Sequence, residues 1–184
     1  SEMGAELIPF SPLTDTRLPP NIHGLYLGGG YPELYARQLG ENASMRASVK
    51  KALEHGLPCI AECGGFMYLT EFIGEHPMVG HLPGRCFDTG KSRRFGYIRL
   101  QAKADNMLCK AGEEIPAHEF HYWDCEHPGD AFTAVKPSGK SWSCVVATKT
   151  LYAGYPHLHF YANPDFALNF YQACRKEKQR HDGI

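Results

Sequence analysis

The sequence predicts an α/β protein, with a mostly parallel central sheet flanked by helices and a layer of antiparallel strands added to it. Three observations carry this expectation. Short apolar runs alternate with helical patterns between Leu7 and Phe72, the rhythm of a parallel sheet covered by helices. Two of those runs end in glycine-rich turns, Gly28-Gly29-Gly30 and Gly64-Gly65, at the carboxyl ends of strands where open α/β sheets place their chemistry. Beyond about residue 80 the helical periodicity gives way to shorter strand-like segments with turns between them.

In order, Leu7 to Phe10 reads as a first strand and Ser11 to Pro20 as a proline-rich loop. Ile22 to Leu27 is a second strand, and Pro32 to Leu39 a short helix with proline in its first turn. Asn42 caps a longer helix, Ala43 to His55, whose Met45, Val49, Ala52 and Leu53 share one face before Gly56 ends it. Leu57 to Ala61 is a buried strand, and Phe66 to Phe72 an apolar helix start. Gly84 to Asp88, Phe95 to Lys103, Pro116 to Glu126, Ala131 to Lys136 and Trp142 to Tyr152 form the antiparallel layer. A last helix begins at Asn163-Pro164-Asp165, with Phe166, Phe170, Tyr171 and Cys174 inward and Arg175 to Arg180 in solvent.

The 184 residues suit one domain, and the opening Glu6-Leu-Ile-Pro-Phe10 suggests a piece of a longer protein. A net charge of −1 with 21% charged residues gives no basic excess for nucleic acid. No apolar stretch approaches the roughly 18–20 residues of a membrane span, and no signal peptide opens the sequence. Seven cysteines without tight spacing are expected to be free thiols in a reducing cytoplasm. Gly139-Lys140-Ser141 and Gly90-Lys91-Ser92 have the tail of a phosphate loop, but Ala134 and Arg85 occupy the required first glycine. No nucleotide site is therefore expected in this chain.

The chemistry centres on Cys63, between the apolar strand and Gly64-Gly65. A thiol there stands at a strand-to-helix turn, where helix N–H groups favour the thiolate and can bind a developing oxyanion. The amides of Gly29 and Gly30, with those of Gly64 and Gly65, are the candidates for oxyanion and substrate binding. The partner base is sought in Tyr152-Ala-Gly-Tyr-Pro-His157-Leu-His159-Phe160, where strand alternation puts His157 and His159 on one face. One imidazole would take the thiol proton and the second group orient the first. The same pair is also a possible zinc half-site, with His118 and His121 as further donors.

Gly24-Leu-Tyr-Leu-Gly-Gly-Gly-Tyr-Pro-Glu-Leu34, Ala61-Glu-Cys-Gly-Gly-Phe-Met-Tyr-Leu69, Phe95-Gly-Tyr97, His118-Glu-Phe-His-Tyr122 and Tyr155-Pro-His-Leu-His-Phe160 occur in this order along nearly the whole chain. Together they resemble the class I glutamine amidotransferase domain of cobyrinic acid a,c-diamide synthases, which are corrinoid-amidating ligases with a flavodoxin-like fold. The resemblance implies that residues 1–184 are a glutaminase domain, the C-terminal part of a longer synthetase. It implies Cys63 as the nucleophile attacking L-glutamine and His157 as the catalytic histidine. His159 stands where many amidotransferases carry the orienting glutamate, and Met67 where many carry a substrate-holding glutamine. Ammonia would pass to an ATP- and magnesium-dependent synthetase domain that amidates the a and c carboxylates of cobyrinate or a related tetrapyrrole. No cofactor and no metal is expected in this domain, nor nucleic acid or membrane as a partner. The rival readings are a zinc-dependent hydrolase or metal-binding domain, and a degenerate amidotransferase scaffold without catalysis.

Overall fold

In the computed structural model the described residues are 4–183. The chain runs through β1 (Leu25–Leu27), a 3-10 turn (Pro32–Tyr35), α1 (Ala36–Glu41), α2 (Ala43–Glu54), β2 (Cys59–Glu62) and α3 (Gly64–Leu69). The short strands β3 (Phe72–Ile73) and β4 (His76–Pro77) lead into a long hairpin, β5 (Arg85–Ala102) and β6 (Glu114–Cys125). Then come β7 (Phe132–Val135), β8 (Ser141–Cys144), β9 (Val146–Ala147), β10 (Leu151–Gly154), β11 (His157–Leu158), a second 3-10 turn (Phe160–Ala162) and α4 (Pro164–Asp182).

These strands form two sheets. In the first, β1, β2 and β10 are parallel, with β9 antiparallel at the edge. In the second, β5 pairs antiparallel with β6 and β7, β11 lies beyond β6, and β3 joins parallel to β5. Every residue of β2 is buried, as a central strand packed on both faces requires. Its alternation divides the core. Cys59 and Ala61 pack with Met45, Val49 and Leu53 of α2 and Phe66 of α3, whereas Ile60 joins Leu100, Ile115 and Phe132 of the second sheet and Phe166 of α4. The helix α2 forms as its sequence predicts: Asn42 Oδ1 accepts the Met45 N–H at 3.3 Å, and Gly56 follows with a φ of 86°.

The structure departs from the sequence reading in several places. Leu7–Phe10 forms no strand, the next strand begins only at Leu25, and the helix after Gly65 ends at Leu69, where Thr70 turns extended. The two strands expected over residues 84–103 are one, β5, irregular between Asp88 and Gly96 where its register against β6 shifts. Trp142–Tyr152 is three strands, because Val145, at a φ of 68°, swings the chain from the second sheet to the first. The expectation that all seven cysteines are free is also corrected. Cys86 and Cys125 face each other across β5 and β6 with Cα atoms 4.1 Å apart and are joined by a disulfide, which their 39-residue separation concealed. Among the described residues, no helix is long and apolar enough to cross a membrane.

Candidate active site

Cys63 is the hinge between β2 and α3. Its φ of 49° and ψ of −105° lie outside the regions an L residue prefers, a conformation that costs on the order of 1–3 kcal/mol and persists only where packing enforces it. That packing is visible. The Cys63 N–H donates to Gly154 O at 2.8 Å, and Cys63 O accepts from Met67 N at 3.0 Å. Behind it α3 sits directly on β1: a Cβ on Gly65 would stand 2.3 Å from Leu27 O, and one on Gly64 2.9 Å from Pro32 Cδ. The side chain is buried, with Sγ 4.0 Å from the Phe120 carbonyl oxygen.

His157 reaches this sulfur from β11. After β10 runs parallel to β2, Tyr155-Pro156 carries the chain to the second sheet, where His157 pairs with His118 of β6. The imidazole shares the wall of one cavity with the Cys63 thiol, and its Nδ1 lies 3.5 Å from Glu62 Oε2. Cys63 and then Glu62 push its titration up to about 10, against the opposing effect of burial. The Cε1 edge of the ring points at Gly29: a Cβ there would be 2.5 Å from His157 Cε1 and 3.4 Å from each ring nitrogen.

Glu62 was not among the sequence candidates. It is 4% exposed, its Oε1 accepts the Leu158 N–H at 2.9 Å, and its Oε2 accepts the Tyr26 hydroxyl at 2.7 Å. Burial and then Glu62 push the Tyr26 phenol well up. The one available signal was a lone carboxylate ending an apolar strand, which has to find partners to be buried.

Cys63 and His157 open into a cavity of about 190 Å³, walled by Gly30 and Tyr31 on one side and by His118, Phe120 and Trp123 of β6 on another, with Met67 and Glu33 also lining it. Glu33 is half-buried, and its carboxyl is held above the usual range by burial and by the nearby Asp88. Gly30 and Gly64 approach closely, a Cβ on Gly64 falling 3.1 Å from Gly30 N. Among the described residues, no protein acceptor takes either the Gly30 or the Gly64 N–H. The other two candidate glycines have different surroundings. The Gly65 N–H already donates to Gly28 O at 3.0 Å, so it is not free for an oxyanion, and Gly29 gives room to the His157 ring.

The remaining histidines separate. The expected shared face of His157 and His159 does not form, because β11 ends at Leu158 and His159 starts the second 3-10 turn, exposed, with its N–H on Pro116 O. His121 is fixed at the back of the cavity: Nε2 is 2.9 Å from the fully buried Glu119 Oε1, Nδ1 is 2.6 Å from Trp123 O, and the ring stacks on Tyr155 at 3.7 Å. His118 meets Phe95 and Tyr97 edge-on. Among the described residues, no group of three or more His, Cys, Asp or Glu side chains is placed to hold a metal ion, so His118, His121, His157 and His159 do not form the expected alternative site. Neither Gly-Lys-Ser turn suits a phosphate: Gly90-Lys91-Ser92 lies within β5, and Gly139-Lys140-Ser141 leads into β8, with no helix following either.

The fold is that of the class I glutamine amidotransferases. PurLQS from Thermotoga maritima superposes with a TM-score of 0.54 at 14% identity over 89% of this chain and 82% of that one. A second structure, described as a glutamine amidotransferase, gives 0.54 at 16% identity over 85% and 81%. The chain belongs to the CobB/CobQ-like glutamine amidotransferase domain family, whose model matches residues 1–165. It is 42% identical over 181 residues to the cobyrinate a,c-diamide synthase of Caldanaerobacter subterraneus subsp. tengcongensis, covering 94% of this chain and 40% of that one. It is 41% identical over 186 residues to the enzyme of the same description from Dehalococcoides mccartyi strain ATCC BAA-2266, with 95% and 40% covered. The chain thus spans about 40% of the length of the curated relatives it matches.

Proposed function

We propose that this domain hydrolyses L-glutamine to glutamate and ammonia through a Cys63 thioester. The observation that carries this reading is a strained, buried thiol at a strand-to-helix turn that shares one cavity with the imidazole of His157. His157 takes the thiol proton, and the thiolate attacks the side-chain carbonyl carbon of glutamine. The oxyanion forms against the N–H groups of Gly30 and Gly64. As the tetrahedral intermediate collapses, imidazolium gives its proton to the leaving nitrogen, the C–N bond breaks, and ammonia departs from a glutamyl thioester. His157 then takes a proton from water as the oxygen attacks the thioester; the C–S bond breaks, glutamate leaves, and the thiol pair is restored. Glu33, which lines the same cavity and has no ion-pair partner among the described residues, suits the α-ammonium of a free amino acid.

Within a longer synthetase, of which residues 1–184 form the C-terminal glutaminase part, the ammonia amidates the a and c carboxylates of cobyrinate or a related tetrapyrrole. On this reading ATP and magnesium serve the synthetase part, and the whole enzyme works in the cytoplasm. In the full-length protein Cys63→Ala is expected to abolish glutaminase activity and glutamine-dependent amidation, while added ammonium salt still supports amidation. Loss of the ammonia-supported reaction as well would refute the assignment, as would retention of glutaminase activity.

A further inference from the structure

We infer that Glu62, the residue immediately before the nucleophile, is the positioning acid of the site, holding His157 with Nδ1 protonated and Nε2 turned to the sulfur. The inference rests on the reading of Cys63 and His157 as a working pair, and deepens it. Triads of this logic need an acid behind the base, and position 159, two residues beyond the base, is an exposed histidine. Glu62 stands in that role from the opposite direction, 95 residues earlier in the chain than His157 by their numbering.

Three features support it. Glu62 is 4% exposed, and among the described residues the His157 imidazole is the one basic side chain within ion-pair distance of it. A buried carboxylate is strongly penalised unless paired, so its charge and the imidazolium stabilise one another. The Tyr26 hydroxyl donates to Oε2 and the Leu158 N–H to Oε1, which fixes both oxygens and leaves Nδ1 of His157 facing an acceptor. The Leu158 bond also ties β11 to β2, so the same side chain sets both the ring and the backbone that carries it. The other titratable groups around the pair are Tyr26 on β1, His118 opposite His157 on β6, and Tyr152 on β10, whose hydroxyl donates to Pro156 O at 3.3 Å. None of these replaces an anion at Nδ1.

Glu62→Gln tests this in the full-length protein, because the glutamine carbonyl can still accept from Leu158 while its amide presents a donor to Nδ1 and favours the wrong tautomer. Alkylation of Cys63 by iodoacetamide, followed from pH 5.5 to 9.5 by peptide mass spectrometry, reads the thiolate–imidazolium pair directly. In the wild type the rate is expected to stay nearly level across neutral pH. In Glu62→Gln it should fall by about tenfold or more at pH 6.5 and recover only towards the range of an ordinary thiol, near 8.5. Glu62→Asp, which keeps the charge, should retain the wild-type pH profile with a lower glutaminase kcat. A Glu62→Gln profile superimposable on the wild type, even with reduced kcat, overturns the inference, because a merely structural role moves the rate and not the profile. A wild-type profile like that of an ordinary thiol overturns the Cys63–His157 pair itself and the inference with it. Should Glu62→Gln not fold, nitrogen-15 NMR of histidine-labelled wild type decides: protonated Nδ1 on His157 supports the inference, and a bare Nδ1 overturns it.

Discussion

Replacing Gly29 by alanine moves the His157 ring and leaves almost everything else in place. The added methyl would stand 2.5 Å from Cε1 and 3.4 Å from each ring nitrogen. Carbon atoms in ordinary contact are about 3.5–4.0 Å apart, so the ring has to retreat by about 1 Å. Glu62 cannot follow it, since Tyr26 and Leu158 hold its oxygens at 2.7 and 2.9 Å. The imidazole therefore loses alignment with the carboxylate, the sulfur or both. Backbone strain does not enter, because Gly29 is not among the positive-φ glycines. Loss of unfolded-state entropy even favours alanine by about 0.4–1 kcal/mol at compatible positions. A displacement of about 1 Å can cost on the order of 100-fold in rate. The expected result is a Gly29→Ala enzyme with glutaminase kcat down by that factor, a near-native melting temperature, and intact ammonia-dependent amidation in the full-length protein. Steady-state glutaminase assays beside thermal melts check it. Wild-type kcat in a folded Gly29→Ala protein would show that ring placement does not limit the reaction.

Two further substitutions separate packing from binding. Gly65→Ala puts a methyl 2.3 Å from Leu27 O and 2.7 Å from Leu27 C, both backbone atoms, so α3 must lift from β1; overpacking of this kind costs about 1–3 kcal/mol, and thermal denaturation should show a lower melting temperature together with reduced activity. Glu33→Gln is expected to raise KM for glutamine by about tenfold, the scale of one lost charge contact, with kcat little changed. Because burial and Asp88 hold the Glu33 carboxyl above the usual range, its proton persists to higher pH. Glutamine KM in the wild type should accordingly worsen as pH falls, starting above the range of an ordinary glutamate, and that limb should vanish in Glu33→Gln. A pH-independent wild-type KM would remove Glu33 from substrate recognition.

The strand-to-helix turn at Cys63 was legible because its determinants are local. An apolar strand, a cysteine and two glycines occupy consecutive positions, and the close approach of α3 to β1 demands those glycines whatever the rest of the fold does. The helix α2 was legible for the same reason, through its cap and one apolar face. His159 was misplaced because alternation was extended beyond Leu158, whereas the chain turns towards the Asn163-Pro164 start of α4 after a two-residue strand. The Cys86–Cys125 bond and the Glu62–His157 contact depend on register between elements far apart in sequence, and composition carries no record of register.

The position of Glu62 follows from the division of β2 between two cores. Cys59 and Ala61 face the helices α2 and α3, while Ile60 faces the second sheet; in a strand of period two, Glu62 falls on the side of Ile60. That is the side on which β10 leaves the first sheet and β11 enters the second. A carboxylate at the last residue of β2 therefore meets the first residues of β11, and Cys63, one residue further on, is turned by its positive φ into the adjoining cavity. Cys63 and Glu62 can be sequence neighbours and still face different surroundings because the turn at Cys63 redirects the chain, and His157 meets Glu62 from β11, in the second sheet. An acid two residues after the base would need β11 to continue in extended form beyond Leu158. With the chain already turning at His159, the carboxylate that faces His157 comes instead from β2, the strand that leads into Cys63.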